Sequence, residues 1–108
     1  MQVRNINTSQ SWFEVLQTSE KSQTAVMILA SGQASGEEAE AHAHSDQSML
    51  VVTGSIEGKV GDEHLTLSAG DVIIIPAATK HRFWNPGERP ATTFNVYSPP
   101  EYPADTRE

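Results

Sequence analysis

A chain of 108 residues with a formal net charge of −7 and 37% hydrophobic residues has the size and composition of one small globular domain. Its acidic balance leaves no basic patch for nucleic acid or an anionic membrane, so neither is expected as a partner. No apolar run approaches the ~20 residues of a membrane span, and the N-terminus lacks the apolar segment of a signal peptide. Cysteine is absent, which excludes disulfides and thiolate metal ligands. We therefore expect a cytoplasmic protein.

Turn-forming residues divide the chain into short runs rich in β-branched and aromatic residues. The first run, 11–17, is ambiguous, because Ser11 could cap a helical turn while Phe13 suits a strand. Strands are predicted after it at 24–30, 47–53, 55–60, 63–67, 72–75, 81–84 and 91–97. Short strands at even spacing favour a single all-β sandwich or barrel. Its core spans about 24–98, and an extended, Pro-rich tail is predicted at 99–108.

Two of the predicted strands are apolar on both faces. In 47–53, Val51 lies on one face while Leu50 and Val52 lie on the other, and the run 72–75 contains only valine and isoleucine. A strand with two apolar faces must be covered on both sides. We therefore predict a homodimer in which the partner subunit covers the outside of one sheet.

Three of the four histidines are spaced to share one site. His42 and His44 stand one residue apart on an expected strand, where residues i and i+2 lie on the same face, and His81 follows well downstream. Imidazole is the commonest protein ligand for a first-row transition metal, so this pattern predicts a metal site. The fourth histidine, His64, lies in an expected hairpin strand and should be exposed.

The residues around these histidines resemble the two motifs of the cupin superfamily. In the first motif, G-x5-H-x-H-x3,4-E-x6-G, the matching residues are Gly36, His42, His44 and Gly54. In the second motif, G-x5-P-x-G-x2-H-x3-N, the matching residues are Gly70, Pro76, His81 and Asn85. Two positions depart from these patterns, since Gln47 stands near the usual glutamate and Ala78 replaces the usual glycine.

The resemblance implies a double-stranded β-helix, a jelly-roll-like barrel, with a divalent ion (Zn, Mn, Fe or Ni) inside. The implied metal ligands are His42, His44, Gln47 and His81. Because only two residues separate His44 from Gln47, the chain must turn or bulge at Ser45 and Asp46 if all of them face inward. A neutral glutamine ligand would leave the ion's charge of about +2 unbalanced, which favours an anionic ligand or a bound hydroxide.

A closer resemblance is to small single-domain cupins of the mannose-6-phosphate isomerase-like group. It is carried by short segments at 13–16, 22–23, 40–42, 75–77 and 97–101. Such a resemblance implies the fold strongly and a reaction only weakly, because one fold hosts many activities.

Three functions are open at this point. The first is a metal-dependent enzyme for a small sugar-like or acidic metabolite, with isomerase, lyase or Fe(II) dioxygenase chemistry. The second is non-catalytic binding or sensing of a small ligand, and the third is a cupin with a vestigial site. The enzyme hypothesis depends on Glu40, the only candidate general acid or base near the motif histidines. Alternatively, Glu40 is a substitute carboxylate ligand for the ion, or it is a solvated charge in the acidic segment 37–40.

Overall fold

Residues 1–104 are described by a computed structural model of the chain, and they form eight strands. The strands are β1 Phe13–Thr18, β2 Gln23–Leu29, β3 Asp46–Thr53, β4 Ser55–Val60, β5 Glu63–Ser68, β6 Val72–Ile75, β7 His81–Trp84 and β8 Ala91–Ser98. The helical content of this described range is one 3₁₀ turn, Ile6–Thr8. Within residues 1–104, no helix is long and apolar enough to cross a membrane. The last four residues of the tail predicted at 99–108 lie outside the described range.

The strands form two antiparallel sheets. One has five strands in the order β1-β2-β8-β3-β6, and the other has three in the order β5-β4-β7. Buried apolar side chains from both sheets form one core, whose members are Met27, Leu29, Met49, Val51, Ile56, Leu67, Ile75, Phe83 and Ala91. This architecture confirms the predicted single-domain double-stranded β-helix.

The ambiguous first run is a strand. β1 pairs antiparallel with β2, with a shift of register between Val15 and Gln17. Ser11 caps no helix, and its hydroxyl donates to the carbonyl oxygen of Phe13 at 2.9 Å. The pairing with β2 decides the outcome, because an isolated helical turn would leave most of these backbone groups without partners. All seven other predicted strands are confirmed, with ends within one residue of the prediction.

The prediction that His42 and His44 lie on a strand is wrong. β3 begins at Asp46, so both histidines belong to the loop before it. That loop meets the three-stranded sheet through an isolated antiparallel bridge between Glu40 and His81, and the chain then bends between the two histidines. The alternation of a strand therefore does not apply to this pair, and the two side chains need not share a face.

The five-stranded sheet is apolar on its outer face as well as its inner face. Met49 and Val51 of β3 are buried, whereas Leu50 between them is exposed. On the neighbouring strand β6, Val72 and Ile74 are 67% and 65% exposed, and Val72 lies opposite Leu50. The apolar outer face thus lies at the β6 edge of the sheet.

The inward face of β8 carries polar side chains. Burial along this strand alternates strictly, and its buried residues are Ala91, Thr93, Asn95 and Tyr97. Since β8 lies in the middle of the five-stranded sheet, these side chains project into the barrel. The barrel interior is consequently apolar at one end of β8 and polar toward the other.

Candidate functional site

A cavity of about 270 Å³ is lined by strands of both sheets and by two connecting segments. Its lining residues are Trp12, Phe13, Met27, Ser35, Glu38, Glu40, His42, Gln47, His81, Phe83, Tyr97 and Tyr102. Three of the four predicted metal ligands, His42, Gln47 and His81, therefore share one cavity with Glu40. His44 is exposed and does not line the cavity, so its assignment as a ligand rests on the sequence alone.

His81, the first residue of β7, offers one free nitrogen. Its Nδ1 lies 2.9 Å from the carbonyl oxygen of Thr79. A carbonyl can only accept, so Nδ1 carries the proton and Nε2 keeps its lone pair. Burial, the largest influence, lowers the pKa of His81 from its ordinary value of 6.5, and the nearby His42 lowers this pKa further. His81 is therefore neutral at pH 7, as a metal ligand must be.

A pH effect follows from the lowered pKa of His81. The unfolded chain takes up a proton near pH 6.5, before the folded chain does, so protonation favours unfolding. The unfolding free energy of the metal-free protein should therefore decrease as pH falls below about 6.5. Urea titrations between pH 5 and 7.5 would measure this slope, which should be shallower in His81→Gln. Equal slopes in the two proteins would contradict this prediction.

His42 is positioned by one backbone contact and one side-chain contact. Its carbonyl oxygen accepts from the backbone nitrogen of Ala78 at 2.7 Å. Its Nδ1 lies 3.3 Å from Oε2 of Glu101. A carboxylate at this distance favours the proton on Nδ1, which leaves the lone pair on Nε2. Ala78 adopts a φ of 66°, in the left-handed region, which accounts for the glycine usual at this motif position.

Gln47 supplies an acceptor without a partner. The side chain is 4% exposed, and its Nε2 donates to Oδ1 of Asn95 at 2.9 Å. Its Oε1 is buried and has no hydrogen-bond partner among the described residues. An unsatisfied buried acceptor costs about 1–3 kcal/mol, so its persistence in a cavity calls for an explanation.

The separation of the two imidazole rings can be compared with that of two ligands of one divalent ion. An ion about 2.1 Å from two imidazole nitrogens lies about 3.2 Å from each ring centroid. If the two ligands subtend an angle of about 90–110° at the ion, the ring centroids are about 4.5–5.2 Å apart. The ring centroids of His42 and His81 are 5.0 Å apart. No group of three or more His, Asp or Glu side chains in residues 1–104 is arranged to hold a metal. Gln47 is the third predicted ligand that lines the cavity, and its side chain contains an amide oxygen.

A short C-terminal segment closes one side of the cavity. The buried amide of Gln23 accepts from the backbone nitrogens of Glu101 and Tyr102 at 3.1 and 2.9 Å, and it donates to the carbonyl oxygen of Tyr102 at 2.8 Å. The ring of Tyr102 then packs against Phe13 and Tyr97, with centroids 5.0 and 5.2 Å away. Burial raises the pKa of both tyrosines, so their hydroxyls stay protonated.

Glu101 and Tyr102 are site residues that the motifs do not indicate. They lie 78 and 79 positions from Gln23, which anchors them, and no spacing rule connects such distant residues. The available indication was the resemblance of segment 97–101 to the isomerase-like cupins. His64, by contrast, is exposed as predicted and lies 2.8 Å from Glu57, outside the cavity.

The chain belongs to the cupin family, because residues 25–97 match the family described as "Cupin domain". Metal binding is common among cupins, and the fold is consistent with small-molecule binding. No curated protein matches the sequence.

Solved structures agree with this assignment. Protein BH2720 from Bacillus halodurans is 27% identical, with a TM-score of 0.86 over 94% of this chain and 80% of that chain. KdgF from a Halomonas species is 22% identical, with a TM-score of 0.74 over 82% of this chain and 77% of that chain. Protein TT1209 from Thermus thermophilus is 23% identical, with a TM-score of 0.78 over 92% of this chain and 98% of that chain.

Proposed function

We propose that this cupin binds a small molecule at a divalent metal ion held by His42, His81 and the Oε1 atom of Gln47. The observation behind the proposal is the buried Oε1, which lacks a partner among the described residues and belongs to a residue that lines the same cavity as the two histidines. The carbonyl oxygen of Thr79 beside Nδ1 of His81, and the carboxylate of Glu101 beside Nδ1 of His42, favour the neutral form of each imidazole in which Nδ1 carries the proton and Nε2 is free. A site of two imidazoles and one amide is neutral, and it suits Zn, Mn, Fe or Ni.

The reaction class that this site suits best is isomerase or lyase chemistry. A bound ion would supply Lewis-acid polarisation of a ligand oxygen. Glu40 would move the proton in this reaction, and this role is supported by its position among the lining residues and by the pairing of its backbone with that of His81. The isomerase-like cupins that the sequence resembles would be the matching subgroup.

The lining of the cavity supports a sugar-like ligand over an acidic one. No lysine or arginine of the described chain is among its lining residues, so a carboxylate or phosphate would depend on the ion alone for its charge. The half-buried aromatic residues Phe13 and Tyr102 line the cavity, and the carbon face of a sugar ring can pack against such rings.

Non-catalytic binding is the second candidate function. It is supported by the exposure of Glu38 and Glu40, the only carboxylates that line the cavity within the described chain. An exposed carboxylate is solvated and is not held in one position by its surroundings, whereas general acid–base catalysis needs a group fixed within hydrogen-bond reach of the ligand. Replacing Glu40 with glutamine separates the two candidates once a ligand is known. Turnover would be lost with binding retained if Glu40 is catalytic, and both would persist if it is not.

The proposed metal site is tested by loading the purified protein with Zn²⁺, Mn²⁺, Fe²⁺ or Ni²⁺ separately. Elemental analysis after removal of free ion should find one ion per chain. Because the site exists only in the folded chain, the unfolding free energy should rise by about 2.7 kcal/mol at a free ion concentration of 100 Kd. A protein that retains none of these ions and gains no stability would contradict the proposal.

We further propose that a second copy of the chain covers the outer face formed by Leu50, Val72 and Ile74. These exposed apolar side chains lie side by side at one edge of the five-stranded sheet. Ile74→Lys places a charge on that face without disturbing the core, because the native side chain is 65% exposed.

Light scattering at micromolar concentration should give a dimeric mass for the native protein and a monomeric mass for Ile74→Lys. Thr66→Lys, at an exposed position of the other sheet, serves as the control and should remain dimeric. A monomeric native protein or a dimeric Ile74→Lys variant would remove this assignment.

A further inference from the structure

Three polar side chains form a hydrogen-bonded chain inside the barrel. Thr93 and Asn95 are fully buried on β8, and Gln47 is 4% exposed on the neighbouring strand β3. Asn95 lies between the other two, since its Nδ2 donates to Oγ1 of Thr93 at 3.0 Å while its Oδ1 accepts from Gln47. Buried polar groups of this kind are tolerated only when they are paired, so each partner constrains the next.

A backbone carbonyl determines which atoms donate and which accept in this series of hydrogen bonds. The hydroxyl of Thr93 donates to the carbonyl oxygen of Met27 at 3.0 Å, and a carbonyl can only accept. With its single proton used, Oγ1 of Thr93 must accept from Asn95. Asn95 can then only accept from Gln47, through its oxygen, and Gln47 must donate through its amide nitrogen. The one group left over is Oε1 of Gln47.

We propose that Thr93 and Asn95 are positioning residues that force Gln47 to present an oxygen, rather than an amide nitrogen, to the cavity. The inference rests on the proposed metal site, in which that oxygen is a ligand. A rotated Gln47 amide would place two oxygens against each other at Asn95. A rotated Asn95 would place its oxygen against the hydroxyl oxygen of Thr93. Both alternatives are disfavoured because they pair two acceptors.

The same series of hydrogen bonds accounts for glutamine rather than glutamate at position 47. A carboxylate has two acceptor oxygens and no donor. One of these carboxylate oxygens would face Oδ1 of Asn95. The Asn95 amide could not rotate to donate to it, because its nitrogen is hydrogen-bonded to Thr93. A carboxylate at this position should therefore be poorly accommodated until Thr93 releases Asn95.

A double-mutant cycle between positions 47 and 93 tests the inference. The variants are Gln47→Glu, Thr93→Val and their combination, with Zn²⁺ affinity measured by competition with a chromophoric chelator. Thr93→Val should weaken Zn²⁺ binding in the native background, because the Gln47 amide can then rotate. It should strengthen binding in the Gln47→Glu background, because Asn95 can then donate to the new carboxylate. We expect the factors by which Thr93→Val changes Zn²⁺ affinity in the two backgrounds to differ by about tenfold or more.

A metal-free readout separates this inference from the proposed function. Urea unfolding of the apoprotein at pH 7 should show that Gln47→Glu lowers the folding equilibrium constant about tenfold more when Thr93 is present than in Thr93→Val. Thr92→Val, on the opposite face of β8, is the control and should produce neither effect. If the native protein binds no Zn²⁺ but this coupling is found, the positioning role stands and the metal site fails. The positioning role is wrong if Thr93→Val changes Zn²⁺ affinity by the same factor in the native protein and in Gln47→Glu. It is equally wrong if Thr93→Val changes the folding equilibrium constant by the same factor in these two proteins.

Discussion

Replacing His42 or His81 with alanine is expected to reduce metal affinity by at least about a hundredfold, since even changes to residues behind the ligands commonly cost about 10- to 100-fold. Each substitution would remove one of the three proposed donors, and the two that remain should bind an ion only weakly. Chelator competition with Zn²⁺ at pH 7.5 would measure the loss.

His64→Ala is the matched control for these two variants. His64 is a surface histidine paired with Glu57 on the three-stranded sheet, away from the cavity. Its removal should leave metal affinity unchanged within about twofold, as expected for a substitution remote from the ligands. If His64→Ala lost as much affinity as His42→Ala, the ion would be bound somewhere other than the cavity.

The second large effect is expected at Gly54, in the tight connection from β3 to β4. Gly54 has a φ of +79°, and a Cβ at this position would lie 2.8 Å from the carbonyl oxygen of Pro90 and 2.9 Å from Cα of Ala91. These neighbours are backbone atoms, so the chain itself must move. Gly54→Ala should therefore lower the unfolding free energy by about 3 kcal/mol, from left-handed strain together with overpacking.

Gly32→Ala separates these two contributions. Gly32 has a nearly identical φ of +78°, but beyond its two chain neighbours no atom of residues 1–104 lies within 4 Å of the position its Cβ would take. Its substitution should show the conformational cost alone, about 1 kcal/mol. Urea unfolding of both variants would measure the difference. Equal losses in the two proteins would show that the close approach to Pro90 has no consequence for stability.

The sheet architecture was predictable from the sequence because local features determine it. Turn residues mark the strand ends, and the alternation of buried and exposed residues continues to the last strand, β8. The alternation in β3 also predicted that Leu50 and Val51 lie on opposite faces, and Val51 is buried whereas Leu50 is exposed. Each of these features can be read within a few residues of the chain.

The site was predictable only in part, because its contacts are distant in sequence. His81 and Gln47 were identified from the cupin motifs, but the placement of His44 depended on a strand that does not form there. Asn95, which orients Gln47, lies 48 positions from it, and Glu101 is brought to His42 by the fold. No periodicity in the sequence relates such pairs, so hydrogen bonding across the barrel had to be observed.

The atoms around the bound ion distinguish the proposed metal centre from any other. A crystal structure of the Zn²⁺-loaded protein, with anomalous data collected above the zinc absorption edge, would locate the ion independently of the protein atoms. We expect one anomalous peak in the cavity, with Nε2 of His42, Nε2 of His81 and Oε1 of Gln47 within about 2.0–2.2 Å of it. A peak elsewhere, or a peak in the cavity that Gln47 does not contact, would contradict the proposed metal centre.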